Sequence, residues 1–197
     1  MPRFASLSID DFCAALGSGE PTPGGGAAAA LLVKLSGSLV QMVARHTLGR
    51  PKYAHLEGRM QAVVAEAERL SAEAAGLMDA DAEAFQAVSA AFKLPKTDPG
   101  REQAVSAAAV QATEVPLRVM RSAARLAELA AELFREGNQT LKGDARAALL
   151  LAQTAAEVSN GNVAANQPFI HDQAWASAAA QEAEQLLADI GRLRASA

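Results

Sequence analysis

Apolar residues recur at three- and four-residue spacing along nearly the whole chain, which is the signature of helices with one buried face. Ile9 to Leu16 reads as a short first helix, with Ser8 as its cap and Asp11 in a capping-box position. Gly17, Gly19, Pro21 and Pro23 then impose an irregular loop. A second helix is predicted from Gly24–Gly26 to about Thr47, ended by Gly49 and Pro51. A long third helix follows from Ala54 to about Phe92. Asp98 and Pro99 read as the cap and first residue of the next one. Pro116 falls inside that stretch and predicts a kink or two separate helices. Gly137 and Asn138 mark a stop, and Gly143 with Asp144 marks a restart. That helix runs to about Asn166, and a last one covers Asp172 to Leu193.

The fold class that follows is all-α: one domain over residues 1–197, an antiparallel bundle of about six or seven helices. Composition agrees, since alanine makes up about a quarter of the residues and is a strong helix former and poor strand former. Small side chains let helix axes approach closely. Few charges lie between Gly24 and Gln41. A helix apolar all round should be buried on all sides, which in a small bundle points to a homodimer.

Charge narrows function. The net charge of −4 offers no basic patch, so nucleic acid is not an expected partner. Lys34 interrupts the most apolar run, Gly24 to Val33, short of a membrane span. Acidic residues stand near the N-terminus where a signal peptide would be apolar. The single Cys13 reads as a core side chain, and a cytoplasmic location is expected. His46, His55 and His171 fall in no metal-ligating spacing, so no metal is expected.

Four segments can carry chemistry. Gly24, Gly25 and Gly26 open a helix, where free backbone N–H groups and the helix dipole favour an anion; close helix packing is the equal alternative. In Asp79-Ala80-Asp81-Ala82-Glu83-Ala84-Phe85, Asp81 and Phe85 share a helical face, while Asp79 points to the opposite side. A carboxyl beside an aromatic ring is partly desolvated and suits general acid–base work; the alternative is a solvated acidic face. Asn162 and Asn166 lie one turn apart on an apolar face and need partners, either protein or ligand. Asp144 lies on the same face but roughly 27 Å away, so it reads as a cap unless a long ligand or a second subunit joins the two ends. Lys52 and Tyr53 sit in a basic turn that can hold an anion or simply face solvent.

These segments together resemble a known family. Pro21-Thr22-Pro23-Gly24-Gly25-Gly26, Gly49 with Lys52-Tyr53, the Asp79–Phe85 segment, Leu94-Pro95-Lys96, Val115-Pro116-Leu117, Gly137-Asn138, and Asn162-Val163 with Asn166 occur in the order and spacing of the cyclodeaminase/cyclohydrolase family. The resemblance implies an all-helical homodimer that binds tetrahydrofolate with no further cofactor. It implies either cyclisation of 5-formiminotetrahydrofolate with loss of ammonia, or hydrolysis of 5,10-methenyltetrahydrofolate to the 10-formyl form. It implies that Asp81 is the catalytic proton donor. The binding set expected around it is Pro23, Gly24, Gly25, Gly26, Lys52, Tyr53, Asp79, Phe85, Asn162 and Asn166. Gly143 stands where the family commonly carries serine, which keeps open one alternative: a non-catalytic folate-binding or scaffolding dimer.

Overall fold

A computed structural model describes residues 4–196. Among them there are six α-helices and no strand: α1 (Ile9–Leu16), α2 (Gly25–Arg45), α3 (Glu57–Lys93), α4 (Arg101–Glu136), α5 (Lys142–Asn166) and α6 (Gln173–Ala195). The Ser8 cap forms as expected, accepting from the Asp11 N–H at 3.1 Å. Two other caps differ from the sequence reading. Asp98 closes a turn, accepting from the Gly100 N–H at 2.8 Å, and α4 starts at Arg101. Asn138, not Asp144, sets up α5: its side chain caps a short 3-10 turn at Gln139–Leu141 that runs straight into the helix.

Helix directions follow from which residues meet. Arg59, Glu66 and Glu73 of α3 pair with Glu132, Arg125 and Arg118 of α4. One series ascends by sevens as the other descends, so the helices are antiparallel and in a single register. Each exposed pair adds little stability, but together they oppose a slip. Helix α2 runs antiparallel to α3, with Gly26 beside Asp81 and Gly37 beside Ser71. It also runs antiparallel to α5, where the Ser36 hydroxyl donates to the Ala148 carbonyl at 2.8 Å and Gly25 lies near Val158.

The core is built on α2. Ala27, Ala30, Val33, Val40 and Val43 are inaccessible to solvent and pack among α3, α4 and α5. A Cβ on Gly37 would lie 2.2 Å from Ser71 Oγ, so a larger residue at this crossing would have to push the Ser71 hydroxyl aside. By length and composition α2 is apolar enough to cross a membrane even with Lys34 present; its packing inside the bundle accounts for that apolarity. Burial is not complete, however. Leu35 stays 44% exposed, and Leu150 and Val158 of α5 are exposed too. Cys13 is also exposed rather than in the core, because the eight-residue α1 buries only Phe12.

Pro116 does not divide the stretch into two helices. Helix α4 continues through it as one element, and the proline is buried. The broken backbone hydrogen bond has a consequence at the site.

Candidate functional site

A cavity of about 360 Å³ opens where the start of α2 meets the later part of α3 and the end of α5. Sites for small molecules fall in this size range. Its walls are the loop residues Pro21 and Thr22, Gly24, Gly25 and Gly26 of the α2 entry, Asp81, Ala84, Phe85 and Val88 of α3, Ala112 of α4, and Asn162, Ala165 and Asn166 of α5. Asp81, Ala84, Phe85 and Val88 are one helical face by spacing, as are Asn162, Ala165 and Asn166.

Asp81 sits at the deep junction of α2 and α3. Its Oδ2 accepts from the Ala27 N–H at 3.0 Å. A Cβ on Gly26 would lie 1.9 Å from Asp81 Oδ1 and 2.4 Å from its Cγ. Glycine at 26 is therefore what lets the carboxyl lie against the first turn of α2. Two opposed forces act on the proton. Burial removes water from the carboxylate and raises its pKa above the usual aspartate range; the Ala27 hydrogen bond pulls the other way and is the weaker effect. The anion-binding end of α2 thus serves a side chain of the protein itself.

The other polar groups of the cavity are left open. Asn166 donates from Nδ2 to the Ala112 carbonyl at 3.0 Å. Among the described residues, its Oδ1 and the whole Asn162 amide make no hydrogen bond to protein. Phe85 is 47% exposed, which an apolar ring tolerates more readily when it forms the wall of a binding site.

The structure thus brings together Gly24, Gly25, Gly26, Asp81, Phe85, Asn162 and Asn166. Four residues expected in the binding set lie elsewhere. Pro23 is buried, follows the cis Thr22–Pro23 bond and is not among the wall residues of the cavity. Asp79 holds the N-terminal segment, accepting from the Phe4 N–H at 2.8 Å, as its place on the opposite helical face requires. Lys52 and Tyr53 precede α3, whereas Asp81 is its twenty-fifth residue, roughly 36 Å along the axis. Tyr53 is buried there, its hydroxyl accepting from the Gln139 N–H at 3.1 Å. That bond is the main reason its pKa lies below the usual tyrosine value. Asp144 begins α5 and Asn162 nearly ends it, so the two stay apart within one chain. A Cβ on Gly143 would meet nothing within 4 Å, so no packing demand explains that glycine.

Sequence reasoning missed Ala84, Val88, Ala112 and Ala165 as wall residues. Nothing in an alanine-rich helix distinguishes an alanine that lines a cavity from one that packs. Among the described residues no three His, Cys, Asp or Glu side chains converge as a metal centre would require.

Known proteins resemble this chain over most of its length. The family model for formiminotransferase-cyclodeaminase matches residues 8–185. A methenyltetrahydrofolate cyclohydrolase of Methylorubrum extorquens is 39% identical over 195 residues, covering 94% of this chain and 91% of the relative. The formimidoyltransferase-cyclodeaminase of Sus scrofa is 32% identical over 180 residues, covering 89% of this chain but only 33% of that longer protein. The crystal structure of formiminotetrahydrofolate cyclodeaminase from Thermotoga maritima superposes with a TM-score of 0.91 at 28% identity, covering 97% of this chain and 93% of that one. The chain belongs to the formiminotransferase-cyclodeaminase family.

Proposed function

We propose that the protein is a folate one-carbon enzyme and that the cavity holds the one-carbon unit of a reduced folate against Asp81. The observation that carries this reading is the position of that carboxyl: half-buried, with one oxygen held by the Ala27 N–H, on a residue that lines the cavity. Hydrolysis of 5,10-methenyltetrahydrofolate is the favoured reaction. The cyclohydrolase relative aligns over nearly its full length and at higher identity than the bifunctional cyclodeaminases.

In that direction water attacks the cationic methenyl carbon, and Asp81 as carboxylate takes a proton from it. The carbon–N5 bond then breaks and N5 receives a proton from Asp81. The remaining hydroxyl proton leaves as the formyl carbonyl forms on N10. A base whose pKa lies above the usual aspartate range is better matched to this transfer. The cyclodeaminase reaction remains a second reading, supported by the Thermotoga maritima neighbour. There N10 attacks the formimino carbon and its proton passes to the imino nitrogen; protonated Asp81 delivers the second proton, with which ammonia departs. Asn162 and Asn166 would orient the pterin edge, with Phe85 against its face. No cofactor beyond the folate is needed in either direction.

The named relatives are enzymes, so a non-catalytic dimer finds no support among them. We also propose that the protein is cytoplasmic and that a second copy covers Leu35, Leu150 and Val158; sedimentation velocity tests the pairing. The test of function is turnover of both substrates by wild type and Asp81→Asn, following methenyl absorbance and ammonia together. Hydrolysis without ammonia release fixes the cyclohydrolase reading. Unchanged rates in Asp81→Asn would remove the carboxyl from the mechanism.

A further inference from the structure

In a regular α-helix the Ala112 carbonyl would accept from the N–H of residue 116. That residue is Pro116, which has no N–H and whose ring crowds the carbonyl four residues back. Ala112 is a wall residue of the cavity, and its freed carbonyl accepts instead from Asn166 Nδ2, across the α4–α5 interface at 3.0 Å. A carbonyl can pair only with the amide's NH₂ end, so this contact fixes which way the Asn166 amide is turned. Its Oδ1 is then the end left without a protein partner.

We infer that Pro116 is a positioning residue. By withholding one backbone donor it locks Asn166 as a hydrogen-bond acceptor toward the ligand, selecting a ring edge that presents an N–H. This rests on the reading of the cavity as the folate site. Alanine at 116 restores the N–H, which competes for the Ala112 carbonyl and frees the Asn166 amide to rotate. The residue touches no substrate itself; it acts through Ala112 and Asn166.

The experiment compares Pro116→Ala, Asn166→Ala, Asn166→Asp and the Pro116→Ala/Asn166→Ala pair in the full chain. Pro116→Ala is expected to raise KM for the methenyl substrate by about three- to tenfold, the size of one lost hydrogen bond, with kcat held within about twofold. The paired variant should be no worse than Asn166→Ala alone, because both changes remove the same contact. Asn166→Asp keeps acceptor oxygens but cannot donate to Ala112, so it should lose as much as Asn166→Ala. Losses that simply add in the pair, or wild-type KM in Asn166→Asp, overturn the inference. Hydrogen exchange of the Asn166 side-chain amide, read by NMR without substrate, decides it independently of turnover. Exchange slowed in wild type and fast in Pro116→Ala supports the lock; equal exchange in both overturns it. Failure of the enzymatic reading appears separately, as no turnover of either folate substrate by the wild type.

Discussion

The two ends of the bundle handle buried polar groups in opposite ways. At the α2 C-terminal end, Asn138 is 2% exposed and every hydrogen-bonding group it offers there has a protein partner. Its N–H donates to Thr47 Oγ1 at 3.0 Å, its Nδ2 to the His46 carbonyl at 3.1 Å, and its Oδ1 accepts from the Thr140 N–H and hydroxyl. The Tyr53 hydroxyl nearby is engaged by the Gln139 N–H. At the α2 N-terminal end, Asn162 and the Asn166 Oδ1 line a cavity with no such partners, beside a carboxyl held away from water. Satisfied groups fix a fold. Unsatisfied ones, grouped around a cavity, are ready for a ligand. The same residue type, asparagine, does both, and only its surroundings tell which.

That contrast can be broken by experiment. The largest effect is expected for Asp81→Asn, which should lower turnover by about 10² or more. The fold should survive, because an amide oxygen still accepts from Ala27. Stability should change in the opposite direction. A carboxyl whose folded pKa is raised destabilises the fold above that pKa. The penalty fades as pH falls through it and is gone below the unfolded value of about 3.9. Asp81→Asn should therefore raise Tm at neutral pH, and the gain should vanish in acid; equal Tm shifts at both pH values would contradict the burial of the carboxyl.

Next comes Gly26→Ala. The added methyl group would meet Asp81 Oδ1 at 1.9 Å, so the carboxyl must move. Activity should fall by roughly tenfold or more, since small misplacements of reacting groups are costly. A stability loss of about 1–3 kcal/mol is expected with it. At the satisfied end, Asn138→Ala should cost about 2 kcal/mol in denaturant unfolding through unpaired backbone groups, yet leave kcat/KM per folded molecule unchanged. Asn162→Ala should do the converse: KM rises about three- to tenfold while the unfolding midpoint stays in place. If Asn162→Ala destabilises as much as Asn138→Ala, the distinction between the two ends collapses.

Much of this was legible before any coordinates. Helical periodicity gave the bundle, and the hundred-degree step between residues set Asp81 and Phe85 on one face and Asp79 on another. The structure keeps that division, with Asp79 holding Phe4 instead of lining the cavity. The seven-residue steps of Arg59, Glu66 and Glu73 against Glu132, Arg125 and Arg118 became a register only once α3 and α4 were packed side by side. Lys52 and Tyr53 show the limit. Their place in a motif says that they matter, but not at which end of a long helix they work.

Sequence alone determined what depends on neighbours three or four residues apart: helices, faces, and which carboxyl shares its face with an aromatic ring. It also determined that position 116 lacks an N–H. Tertiary structure decided what depends on residues far apart in the chain. Packing α2 against α3 placed Asp81 in the space left by the missing side chain of Gly26. Packing α4 against α5 let Asn166 reach the Ala112 carbonyl. Local periodicity sets which face a side chain occupies; only packing sets what that face meets and whether water reaches it.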